Sequence, residues 1–148
     1  MAISASGLYL LTFEKMFIDT AGQSLEAETH KGMLMLDAYT HDYNAHDFRN
    51  DLTANEASGT GYSAGGTGIT TTEVTIATGT LTWDHADVSW AASTIANAMA
   101  LVDYFNVGAD TTDQLICLSD FVTAVSTSNG TLLVTLAATG MFTLDGTP

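Results

Sequence analysis

The chain is poor in positive charge, proline and cysteine, and each shortage removes a class of function or a structural device. Three Lys and Arg face seventeen acids, a formal net charge of −14. The three are Lys15, Lys31 and Arg49, and neither residue type recurs after Arg49. Nucleic-acid binding draws its affinity from Lys and Arg neutralising phosphates, so direct DNA or RNA contact is disfavoured. With Cys117 as the only cysteine, no intrachain disulfide can form. Within Leu115-Ile116-Cys117-Leu118 it reads as a small buried hydrophobe, far from the cations that activate a thiol. Pro148 is the only proline, so acids, bulges or a partner subunit must protect the strand edges. No apolar run approaches the roughly 20 residues of a bilayer helix. Residues 1–7 hold no Lys or Arg, so neither a membrane span nor export through a secretory signal is expected.

What is present is a single domain's worth of chain, 148 residues of which 46% are hydrophobic. We divide it into an N-terminal helix or arm over residues 1–30 and a β-sandwich domain over 31–148. Leu10, Phe13 and Phe17, with Tyr9 and Met16 beside them, recur at helical spacing, with Ser6 as a candidate N-cap. Leu8 to Leu11 also supports a strand. The helix reads either as packed on the core or as an arm for a neighbouring subunit. Asp19 to His30 is a polar loop turning at Thr20-Ala21-Gly22, and Met33 to Leu36 is a short strand. Residues 46–52 hold a helical turn or two.

The organising stretch is Glu56 to Gly68, in which Gly59, Gly61, Gly65, Gly66 and Gly68 frame Tyr62. Beyond it the period becomes two. Val74 and Ile76, Leu81 and Trp83, and Val88 and Trp90 each alternate with polar residues, as half-buried strands do. Ala77-Thr78-Gly79 fits one hairpin turn and His85-Ala86 a second. Ile95 to Phe105 and Leu115 to Val122 are apolar on both faces, as covered central strands are, with a polar turn at 106–110 between them. Thr131 to Leu136 follows the turn Ser128-Asn129-Gly130, and Phe142 and Leu144 close the chain as a last strand. Twenty-four threonines suit a wet β surface. About eight short strands with little helix after Leu52 predict a mainly β, single-domain antiparallel sandwich or jelly roll.

No constellation reads as catalytic. His41 and His46, each followed by an acid (Asp42, Asp47), match no standard metal spacing. Asp42, Asn44 and Asp47 lack the order of a calcium loop. The glycine block carries no phosphate-loop lysine, no serine sits in G-x-S-x-G, and Asp84 and Asp87 flank His85 in a turn. We expect no enzyme, no metal and no cofactor. Trp83 and Trp90 read as core, the alternative being a carbohydrate-stacking surface.

Four blocks resemble a family of small virion proteins of tailed bacteriophages. They are A-H-D-F-R-N-D (Ala45 to Asp51), N-E-A-S-G-T-G-Y-S-A-G-G (Asn55 to Gly66), D-V-S-W-A-A-S-T-I-A (Asp87 to Ala96) and A-T-G-M-F-T-L (Ala138 to Leu144). Gln23 to His30 departs from the family pattern. The resemblance implies a non-enzymatic capsid cement or decoration protein, made in the host cytoplasm. It would sit as a dimer or trimer on the outer surface of the head, bound to major capsid protein and to copies of itself. Tail, neck or fibre components and a receptor- or glycan-binding module are the alternatives. Interface candidates are Tyr62 with Gly59, Gly61, Gly65, Gly66 and Arg49; plain core filler is the other reading of Tyr62.

Overall fold

The computed structural model describes residues 3, 5–18, 22–27 and 29–146. Among these residues the fold is mainly β, built of three antiparallel sheets with one N-terminal helix, an arrangement compatible with a β-sandwich. In order the elements are β1 (Gly7–Leu8), α1 (Leu10–Phe17), β2 (His30–Leu36), two 3₁₀ turns (Arg49–Asp51, Thr53–Asn55), β3 (Gly59–Thr60), β4 (Thr67–Ile69), β5 (Glu73–Ala77), β6 (Thr80–Asp84), β7 (Val88–Ile95), β8 (Ala98–Phe105), β9 (Leu115–Val125), β10 (Gly130–Val134) and β11 (Phe142–Asp145).

The largest sheet has the order β1-β9-β8-β2-β4 and forms the central layer. Its middle strand, β8, is buried at every residue, which is why Ala98 to Phe105 shows no polar alternation. On one face of β2 and β8, Met33, Met35, Met99, Val102 and Tyr104 pack with Tyr9, Tyr39 and Leu52. On the other, Leu34, Ala98 and Leu101 meet Trp90, Ile95 and Leu132, which bring the sheet β10-β7-β3 against the centre. The third sheet, β11-β6-β5, docks through Trp83 onto Phe105, Ile116 and Cys117. Each large side chain so buried contributes about 1.5–3 kcal/mol.

The β5–β6 hairpin forms as its alternation predicts. Thr78 and Gly79 supply the two left-handed positions (φ 50° and 84°) that such a two-residue turn requires. Other expectations need correction. His85-Ala86 is no hairpin turn, because β6 and β7 lie in different sheets and the chain crosses between them there. Ile95 to Phe105 is not one strand. It breaks at residues 96–97, where Asn97 takes φ 56°, so that β7 and β8 enter separate sheets. Only Leu115 to Leu118 of β9 is buried, since β1 covers two residues and the strand then runs into solvent.

Around α1 the helix is shorter than its apolar spacing suggests. Phe13 is buried, whereas Leu10 and Phe17 face out. Ser6 does not cap it: the N-cap is Tyr9, without a side-chain bond, and Ser6 Oγ accepts the Asp120 amide at 2.9 Å instead. Gly7–Leu8 forms the short strand β1, so the strand reading of Leu8 to Leu11 holds for its first residue only. Of the turn expected at Thr20-Ala21-Gly22, the first two residues lie outside the described ones. The helical turns near 46–52 are 3₁₀, and one falls further on than expected.

Candidate functional site

The glycine block folds into a hub that ties the sheet β10-β7-β3 to the central one. Gly59 starts β3, which pairs with Ile95 and Thr94 of β7. At Gly66 (φ 72°) the backbone passes so close to Gly32 of β2 that an added Cβ would collide with the Gly32 carbonyl. Only glycine fits there. Between them the chain doubles back over Tyr62. Its hydroxyl donates to Glu56 Oε1 (2.8 Å) and accepts the Leu34 amide (3.1 Å), while the Gly65 amide donates to the same Glu56 oxygen (2.6 Å). Tyr104 O–H donates to the Gly65 carbonyl at 2.6 Å. Arg49 lies over the Tyr104 ring at 5.5 Å and pairs with the buried Asp113 carboxylate at 3.0 Å.

The electrostatics follow from burial. Desolvation and the Glu56 carboxylate raise the Tyr62 phenol well above its ordinary range. Burial brings Tyr104 up to about 12. Burial works against the Arg49 charge, but the Asp113 carboxylate more than offsets it and holds the guanidinium protonated. The phenols therefore stay neutral, and the hub is a packed junction. It gathers Tyr62, Gly65 and Arg49, while Gly59 and Gly61 (φ 76°) sit one step away against β7. Glu56, Tyr104 and Asp113, none of them among the interface candidates, complete it. Glu56 opens the block itself and lies within local reach, but the 64-residue separation of Arg49 and Asp113 leaves no local signal.

A second polar cluster lies where β6 crosses to β7. His85 Nε2 donates to Asp103 Oδ2 at 3.3 Å, and Nδ1 lies 2.8 Å from the Ala86 carbonyl. Both ring nitrogens face acceptors, so the imidazolium suits the site best. Burial opposes that charge, but the Asp103 carboxylate prevails and raises the His85 pKa. Burial also raises Asp103, and burial followed by Asp103 raises Cys117, whose thiol lies 3.6 Å from the same oxygen. Here the carboxylate stands between the histidine and the thiol, and all three are buried. The thiol faces the carboxylate and not the imidazole, and burial with that negative charge disfavours the thiolate.

Of the other histidines and acids singled out in sequence, His41 lies against the Tyr43 ring at 4.6 Å with its buried Nδ1 unbonded among the described residues, and the rest have hydrogen-bond or ion-pair partners. His46 Nδ1 lies 2.7 Å from the Tyr39 hydroxyl, Asp42 caps the amides of Asn44 and Ala45, and Asp47 pairs with Lys15 at 2.8 Å. Trp83 and Trp90 are buried, so neither offers a sugar-stacking face. Comparison with protein-family models, curated proteins and solved structures gives no match.

The surface presents apolar residues on its outer strands. Ile76 on β5, Leu133 on β10 and Leu144 on β11 are exposed, and so is Val122 where β9 runs past β1. Among the described residues, β5 and β11 each pair only with β6, and β10 only with β7.

Proposed function

We propose that this protein is a non-enzymatic structural component of a tailed-bacteriophage virion. In this reading it decorates the outer surface of the head shell and ties neighbouring major capsid proteins together. The observation that carries it is the set of outer strands with exposed apolar side chains, on a scaffold whose perturbed titratable groups are packed inside. Open strand edges are adhesive, and natural proteins normally blunt them unless something binds there. The acidic surface suits the outside of a particle, away from the packaged nucleic acid. Bound as a dimer or trimer over symmetric positions, weak contacts multiply. The sequence resemblance supplies the kind of particle, and the surface supplies the means of attachment.

Copy number tests this. Gel densitometry of purified virions should give hundreds of copies of this chain per particle. A dozen or fewer would move it to the tail, neck or fibre, and its absence from the particle would overturn the assignment.

A further inference from the structure

The sheet β11-β6-β5 has one face built of two apolar rows. Val74, Trp83 and Phe142 stand side by side in the first, and Ile76, Leu81 and Leu144 in the second, as the register dictates. The first row is covered: Trp83 is fully buried, and Phe142 meets Phe13 of α1 edge-on with centroids 5.5 Å apart. The second row runs past its cover, leaving Ile76 77% exposed. Beside it a groove of ≈ 430 Å³ opens, lined by Phe13, Phe17, Leu25, Val74, Leu81 and Leu144, with Glu26 also at its wall.

The reverse face of the same strands is polar and acidic. Glu73 of β5 stands directly opposite Asp84 of β6, a like-charge pair that works against sheet stability. Among the described residues the outer edge of β5 carries no backbone ladder. A strand added there would place alternate side chains on the two faces. One set would meet Ile76 and the groove, and the other would meet Glu73 with Asp84 behind it. The complement of this edge is an alternation of apolar and basic residues.

Charge selects among occupants. A second copy would bring the same acids and only three Lys and Arg, of which Lys15 and Arg49 are already held by Asp47 and Asp113. Nucleic acid and anionic lipid would meet the acids with like charge. We propose that the open edge of β5, with the groove beside it, receives an extended segment of another protein in which apolar and basic side chains alternate. The proposal rests on the adhesive reading above and specifies which surface adheres.

The test is amide chemical-shift mapping on the full chain with synthetic peptides of about eight residues, a typical strand length. One peptide alternates lysine with leucine or valine, a second lysine with serine, and a third glutamate with leucine or valine. Only the first should bind saturably and shift residues 73–77, more weakly as salt rises. The double variant Ile76→Ser with Leu144→Ser should lose at least about tenfold in affinity with its other amides unmoved. Glu73→Gln should flatten the salt dependence. Equal binding of the lysine–serine peptide, shifts elsewhere, no binding by any peptide, or an unaffected double variant would each overturn the proposal. Particles stripped of the protein separate the two readings. If the double variant decorates them as the wild type does, the groove is not the shell contact and decoration stands. If peptide binding is found but no particle carries the chain, the groove stands and decoration falls.

Discussion

Tyr62 and Glu56 form the closing contact of the glycine hub: the phenol donates to the carboxylate at 2.8 Å while its oxygen accepts the Leu34 amide at 3.1 Å. Tyr62→Phe removes both interactions and leaves a partly buried amide without its acceptor. It should lower unfolding free energy by about 1–3 kcal/mol, read as a shift in urea midpoint at constant slope. Tyr62→Ala should cost more, because it also empties the space against Trp90, whose ring centroid is 5.9 Å away. An unchanged midpoint for Tyr62→Phe would mean the hydroxyl contributes nothing to the fold.

Gly66 and Gly68 make a matched pair for testing the close approach of β2 and β4. Gly66→Ala would drive a Cβ into the Gly32 carbonyl from a left-handed backbone, whereas a Cβ added at Gly68 meets open space. The first should cost more than about 2 kcal/mol and the second stay within about 0.5 kcal/mol. Equal midpoints for the two variants would contradict the geometry.

The His85–Asp103 pair makes stability depend on pH. The folded-state pKa of His85 lies above its unfolded value, so its contribution is fully present below that unfolded value and is lost as pH rises through the folded one. Asp103 is raised as well, which gives the same sign. Thermal melts should therefore fall from about pH 6 toward pH 9, a range in which ordinary carboxylates no longer titrate. Asp103→Asn removes the buried acid and should flatten this slope. A wild-type profile that rises across that window would refute the pairing.

Cys117 should be inert while the chain is folded. Burial and the adjacent Asp103 raise its thiol, so maleimide labelling should proceed only through opening of the central sheet. The labelling rate should increase with urea in parallel with unfolding. Rapid labelling in the native state would place the thiol nearer the surface.

Local chemistry made much of this fold legible and long-range pairing hid the rest. Val74-Thr75-Ile76 and Leu81-Thr82-Trp83 declare a hairpin through period two and a turn between them, and β8, apolar but for Asp103, declares a covered strand. The break at Asn97 and the sheet change at His85 depend on partners far along the chain, Thr127 and Asp103 among them, and no local pattern encodes such pairings. The short β1, β3 and β4 hold too few residues to show a period. The candidate surface was half visible. Alternation marks Ile76 and Leu144 as strand residues, but that their row runs beyond the cover of α1 follows only from how α1 packs. For Tyr62 the sequence leaves anchor and filler open, and the hydroxyl faces inward onto Glu56 and Leu34.

The central claim is that this scaffold adheres to a particle shell through its outer strands. A symmetric reconstruction of the virion that carries it tests that claim most directly. The account predicts density for this chain on the outer face of the head, repeated at shell symmetry positions, with β5 and the Ile76–Leu144 row against a neighbouring protein. Density confined to the tail, or a head-bound copy whose β5 edge faces solvent, would contradict it.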